Sequence, residues 1–288
     1  MTSFFSDPLA QEAVEHLYQH KLDELPISYE LLQIETSFGN TNIILTGQET
    51  NPPLVLLHGS NACAPLAIEA LIGLVDHFRI YAIDIVGQPN LSEAFRPSMK
   101  DDSYAQWMYE ILTRLNIWKA TLVGISFGGF ISWKTLTFDE KRIARAFLIT
   151  PVGIINSPIL SLVWKVFLPI KLYQWQKNEE YIRRFLEELF TEPDEFAHAF
   201  LSKVLLYFDM DFSPIPTIPP NAAKSIQTPI HLIAAEHDLL IPIAPFFERA
   251  KSIFPSLSQC LTLPSSKHVP DQKGNERIVE FIKELVLK

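Results

Sequence analysis

Six short apolar runs punctuate the chain: Leu54 to Leu57, Ile80 to Ile85, Thr121 to Ile125, Ala146 to Ile149, Ile230 to Ala234 and Cys260 to Leu263. Segments of helical length separate most of them. A strand that alternates apolar and polar residues can leave one face in water, whereas one apolar at successive positions must bury both. The arrangement that buries both is a mostly parallel sheet with helices on each side. The runs therefore predict a doubly wound α/β sheet. With 288 residues, 48% of them apolar, the chain has enough material for the large core this requires.

Other elements attach to that frame. Asp7 followed by Pro8 is an N-cap and a first helical proline, and Val14, Leu17 and Tyr18 continue one apolar face. Ser28 to Ile34 and Thr41 to Thr46, separated by Phe38-Gly39-Asn40, read as an antiparallel hairpin. Ser98 with Asp101 suggests a capping box ahead of the helical stripe Trp107, Met108, Ile111, Leu112, Leu115. Ile278, Phe281, Ile282 and Leu285 mark a last helix.

Roughly seventy residues separate the strand ending near Thr150 from the one beginning near Ile230, far more than a crossover helix needs. Tyr181, Ile182, Phe185, Leu186, Leu189 and Phe190 give one helix there. Thr191 with Asp194 caps another, with its stripe at Phe196, Phe200, Leu201, Val204, Leu205 and Phe208. Residues 153–224 are thus expected to form a helical cap inserted into a core made of 1–152 and 225–288. Between Pro158 and Pro169 a short helix is apolar almost all round, with Ser161 and Lys165 its only polar residues. Its surplus apolar arc, with Trp164 and Phe167, is expected either to face a substrate pocket or to be buried within the cap.

The chemistry concentrates in three places. Gly124-Ile125-Ser126-Phe127-Gly128 lies where a buried strand must turn sharply into a helix, and glycine on either side of the serine leaves room for that turn. A lone serine hydroxyl is a poor nucleophile and needs a base held by a carboxylate. After the strand at 230–234 comes Glu236-His237-Asp238, and after the strand at 260–263 comes Lys267-His268. The order Ser, Asp, His is that of the α/β-hydrolase arrangement.

On these residues the chain resembles the capped, serine-nucleophile branch of the α/β-hydrolase superfamily, similar to bacterial carboxylesterases. His58-Gly59-Ser60 resembles its HG-x oxyanion loop, and Asp84 to Ser92 resembles its D-x-x-G-x-G-x-S turn, with Gln88 or Pro89 in place of the second glycine. Lys267 stands where the family often has glycine before the histidine. The resemblance implies that Ser126 is the nucleophile, His268 the base and then acid, and Asp238 the group that orients it. It implies an oxyanion hole made by the N–H groups of Phe127 and Ser60, with Asn61 as the alternative to Ser60. Glu236 is the substitute carboxylate should Asp238 only cap its turn. His58 is expected to be structural, His237 to face solvent, and Cys63 to be a small buried residue.

The implied activity is cleavage of a small, uncharged, hydrophobic carboxylic ester. Carbon-carbon bond hydrolases, aminopeptidases, lactonases, perhydrolases and non-catalytic binders on the same fold are the alternatives. Twenty-four Lys plus Arg against 33 Asp plus Glu leave a net charge of -9, which argues against a nucleic-acid partner. No metal or cofactor motif is present, so none is expected. The prolines interrupt the most apolar stretch, so no membrane span is expected. Met1 to Ala10 lacks the charged and apolar regions of a signal peptide, and the two cysteines form no disulfide framework. Together these point to the cytoplasm.

Overall fold

Each apolar run becomes a strand in the computed structural model of the chain, which describes residues 3–287. Met1 and Thr2, where the reading of the amino terminus begins, lie outside the described residues. The strands are β1 (Tyr29–Thr36), β2 (Gly39–Thr46), β3 (Pro53–Leu57), β4 (Arg79–Ile83), β5 (Ala120–Ile125), β6 (Ile143–Ile149), β7 (Ile230–Ala235) and β8 (Leu257–Leu263). They form one sheet in the order β1-β2-β4-β3-β5-β6-β7-β8. β1 with β2 and β2 with β4 are antiparallel, and the remaining pairs are parallel. In the hairpin Thr36 is paired with Gly39, so Ser37 and Phe38 form its turn, and Gly39 and Asn40 already belong to β2.

The strands are apolar on both faces because each face has its own core. Leu54, Leu56, Val123, Phe147 and Ile233 pack with helices α1 (Pro8–Glu24), α2 (Ala64–Ala70) and, after β8, α11 (Gln272–Val286). Val55, Leu57, Leu122, Leu148 and Leu232 point the other way, towards α3 (Ser103–Arg114), α4 (Phe127–Asp139) and α10 (Ile243–Ile253). Alternate residues of one strand thus enter different cores, as the pleat requires.

The connection from β6 to β7 is helical: α5 (Ile159–Leu162), a π turn (Val163–Phe167), α6 (Leu168–Gln176), α7 (Glu179–Leu189), α8 (Glu195–Tyr207) and α9 (Pro220–Ser225). The amino-terminal segment pairs with the end of α8: Phe5 bridges Phe208, Ser6 N–H donates to Tyr207 O (2.8 Å), and Asp209 N–H donates to Phe4 O (2.8 Å). No helix among the described residues is long and apolar enough to cross a membrane.

Three local expectations are corrected. Ser98 and Asp101 do not form a capping box. Asp101 instead accepts from the N–H of Ser103 two residues on (2.9 Å), a turn that competes with helix, and α3 begins only at Ser103. Thr191 does not cap α8. Asp194 alone does so, accepting from Ala197 N–H (2.9 Å). The helix after Pro158 does not stop at Pro169. Leu168 N–H reaches back five residues to Val163 O, and the widened turn seats the ring of Pro169, which would clash with a regular one.

His231 on β7 yields a test of the core. It is 5% exposed, its ring stacks on Phe147 at 4.6 Å, and its Nδ1 has no partner among the described residues. Burial, helped by the charge of Arg145, lowers its pKa from 6.5 to about 4. Between those values the unfolded chain binds a proton that the native ring refuses, so this residue subtracts stability as the pH falls from 6.5 to 4. His231→Phe is expected to raise stability at pH 5 by about 1–2 kcal/mol more than at pH 8, read from urea unfolding at both. An equal change at the two pH values would contradict the burial of this imidazole.

Candidate active site

The carboxyl ends of β3, β5, β7 and β8 deliver the site. β5 turns into α4 through Ser126, whose φ of 51° and ψ of -105° are strained for a non-glycine residue. The turn survives because its neighbours lack side chains. A Cβ on Gly124 would stand 2.3 Å from Ser132 Oγ, and one on Gly128 would stand 2.5 Å from Leu57 O. The Ser126 N–H donates to Ile149 O (2.8 Å) and Gly128 N–H to His58 O (3.1 Å), tying the elbow to both flanking strand ends.

Three side chains distant in sequence form a continuous chain there. His268 Nε2 lies 2.9 Å from Ser126 Oγ, and His268 Nδ1 lies 2.8 Å from Asp238 Oδ2. A carboxylate can only accept, so Nδ1 carries the proton and Nε2 is left to accept from the serine hydroxyl. The other oxygen of Asp238 accepts the N–H groups of Leu240 (2.8 Å) and Ile241 (3.1 Å), which holds the carboxylate in place. All three residues are buried. Glu236 is exposed and accepts from Ser265 N–H (2.8 Å), so it shapes the turn before the histidine and does not bond the imidazole. His237 faces solvent as expected.

The loop after β3 stands over the elbow, with the Cα of Gly59 so placed that a Cβ would come within 3.5 Å of Ser126 Cβ. Its N–H groups can be told apart by what they already bond. The Asn61 N–H donates to the side-chain oxygen of Gln88 (2.7 Å) and is occupied. The Ser60 and Phe127 N–H groups have no protein acceptor among the described residues. Gln88 is one of the two candidates for the place of the missing second glycine, and its amide oxygen pins the loop. His58 holds the other side: its Nε2 accepts from Ile85 N–H (3.0 Å), so its Nδ1–H donates to Gly59 O (2.7 Å). Gly59 O and Ser60 N–H share one peptide plane, so this bond also sets where the Ser60 N–H points. Burial drives the pKa of His58 down to about 4, which keeps it neutral and structural.

Asp84 anchors the base of the loop, accepting from Ala64 N–H, Asn42 Nδ2 and Tyr18 Oη (all 2.8 Å). Burial lifts its pKa to about 6. Cys63 is buried beside it and burial pushes its thiol up, away from the reactive thiolate. Thr150, strained at φ 41°, donates its hydroxyl to His268 O (3.3 Å). Sequence reading missed Thr150 and the role of Gln88, because a threonine after a strand and a glutamine in a turn carry no signal of their own.

Trp164 and Phe167, the two expected pocket residues, differ in burial. Trp164 is 62% exposed on the outer arc of its helix, with Ile159 and Leu160 still more exposed. Phe167 is half-buried and packs edge-on against Phe212 at 5.5 Å. The π turn carries the helix on past Pro169, and its outer arc stays in water. No group of three or more His, Cys, Asp or Glu among the described residues is arranged to hold a metal ion.

Comparison with known proteins identifies the family. The model of the α/β hydrolase fold family matches residues 52–259. The chain is 24% identical to the uncharacterized carboxylesterase nap of Bacillus subtilis (strain 168), over 92% of this chain and 90% of the relative. It is 26% identical to carboxylesterase YbfK of the same organism, over 92% of each. The crystal structure of carboxylesterase CesB (YbfK) from Bacillus subtilis superposes with a TM-score of 0.81 at 23% identity, covering 97% of both chains.

Proposed function

The chain belongs to the α/β-hydrolase family and is a carboxylesterase-like hydrolase, and on that premise we propose that it cleaves small, uncharged, hydrophobic carboxylic esters through an acyl-enzyme on Ser126. The observation that carries this reading is the unbroken relay from Ser126 Oγ through His268 to Asp238, at 2.9 and 2.8 Å. His268 Nε2 takes the hydroxyl proton as Oγ attacks the ester carbonyl. The carbonyl oxygen becomes an oxyanion, which the free N–H groups of Ser60 and Phe127 receive. The imidazolium, steadied by Asp238, gives its proton to the leaving alkoxide, and the alcohol departs. Water then repeats the sequence, and the acid is released from Ser126.

In this reading residues 153–224 form a cap on a core made of 1–152 and 225–288. Hydrogen bonds between Leu189, Thr191 and Val269, which join the end of α7 to the loop carrying His268, support it. The formal charge of -9 disfavours anionic substrates. Two unpaired cysteines, Cys63 and Cys260, fit the cytoplasm.

A panel of p-nitrophenyl esters tests the proposal. Neutral acyl chains from acetate to hexanoate are expected to be hydrolysed, kcat/KM rising by up to about fourfold per methylene, the worth of ~0.8 kcal/mol. A hemisuccinate ester, which must bring a carboxylate out of water, is expected to be slower than butyrate by about tenfold or more. Hydrolysis of none of them, or preference for the charged ester, would contradict the substrate class.

A further inference from the structure

We infer that Thr191 is a positioning residue for His268, acting with Lys267 to seat the imidazole from the end of α7. The inference rests on the proposed role of His268 and adds what holds that residue in place. Two sequence features have no role in the chemistry so far: a threonine that does not cap its helix, and a lysine where the family often has glycine.

Both meet at the loop after β8. The Thr191 hydroxyl accepts the backbone N–H of Lys267 at 3.0 Å and donates to Val269 O at 2.8 Å. One side chain therefore grips the residue before His268 and the residue after it. The Thr191 N–H also donates to Val269 O (3.0 Å), and Val269 N–H returns to Leu189 O (2.9 Å). The Lys267 ammonium donates to Glu187 O in the last turn of α7, where a cation suits unpaired carbonyls. Glycine at 267 could make the backbone bond but not this second one. From the core side, Thr150 donates to His268 O and His237 N–H to Ser266 O (2.8 Å).

The loop is thus held from two bodies of structure. Its core contacts place it over β7 and β8, while the α7 contacts fix its tilt. Proton transfer from Ser126 is sensitive to that tilt, because Nε2 must stay within hydrogen-bond reach of Oγ while Nδ1 keeps Asp238. A shift of this insert would be transmitted to the base through Thr191, whereas the elbow and the oxyanion loop receive none of these bonds.

The test compares Thr191→Val, which keeps the shape and deletes the hydroxyl, with Thr191→Ser, which restores it. Thr191→Val is expected to lower kcat for p-nitrophenyl butyrate by about tenfold or more with KM within about twofold, and Thr191→Ser to stay near the parent. Lys267→Met, cutting only the tie to Glu187, should show the same split at about threefold, and it decides the matter should Thr191→Val not fold. The proton NMR signal of the His268 Nδ1–H bonded to Asp238 reads the same clamp without substrate. It is expected to broaden in the valine variant and persist in the serine variant. An active parent whose Thr191→Val and Lys267→Met variants match it in kcat and in that signal would overturn the inference. A parent inactive on every ester would instead count against the proposed function, and the NMR comparison would still decide the role of Thr191.

Discussion

Replacing His268 with alanine is expected to lower kcat/KM for p-nitrophenyl acetate by about 10⁴-fold, with the circular dichroism spectrum and unfolding midpoint little changed. In the proposed mechanism the loss is large because nothing else takes the Ser126 proton as its oxygen attacks the ester. No neighbour can replace it. His237 faces solvent, and His58 has both ring nitrogens committed, to Ile85 N–H and to Gly59 O. Asp238→Asn should keep more activity, since the amide oxygen can still accept from the Leu240 and Ile241 N–H groups that hold the turn. In the proposed mechanism, what survives in His268→Ala is the oxyanion contribution of Ser60 and Phe127, which needs no proton transfer. Activity within about tenfold of the parent would mean that another base serves Ser126.

The parts of this molecule that sequence exposes are those governed by local rules. Leu54 to Leu57 could be read as a buried strand because each of its side chains enters one core or the other, leaving no position free to be polar. The elbow could be read because its glycines answer a contact of 2.3 Å at Gly124 and of 2.5 Å at Gly128, demands that no other residue meets. Asp238 and His268 were legible from chain order combined with strand ends, a rule of topology.

What stayed hidden was decided by partners far away in the chain. Thr191 with Asp194 satisfies the capping pattern, yet the hydroxyl finds the N–H of Lys267, 76 residues on, and leaves the cap to Asp194. Asn61 stood as the alternative to Ser60 until Gln88, 27 residues after Asn61, was found to occupy the Asn61 N–H group. Pro169 should have ended a helix, and a π turn absorbed it. Trp164 was expected either at a pocket or buried within the cap because the run around it is apolar on almost every side. Composition cannot say which arc of a helix faces the core, and here the arc with Trp164 faces water.

The central claim is that Ser126 is the nucleophile, and its hydroxyl should bond covalently to an electrophile shaped like the tetrahedral intermediate. A fluorophosphonate probe supplies one: the serine oxygen attacks phosphorus, fluoride leaves, and the phosphoryl oxygen settles where the oxyanion would lie. Ordinary serine hydroxyls do not react at neutral pH, so labelling reports the activated one. In the proposed mechanism its activation depends on the 2.9 Å contact with His268 Nε2 and on the N–H groups of Ser60 and Phe127, which have no acceptor among the described residues. Intact mass followed by peptide mapping is the direct measurement. The account predicts one adduct per chain, carried by the peptide containing Ser126, absent from Ser126→Ala and formed far more slowly in His268→Ala. An adduct on Ser60 or Cys63, or a Ser126→Ala protein that still hydrolyses esters at the parent's rate, would contradict it.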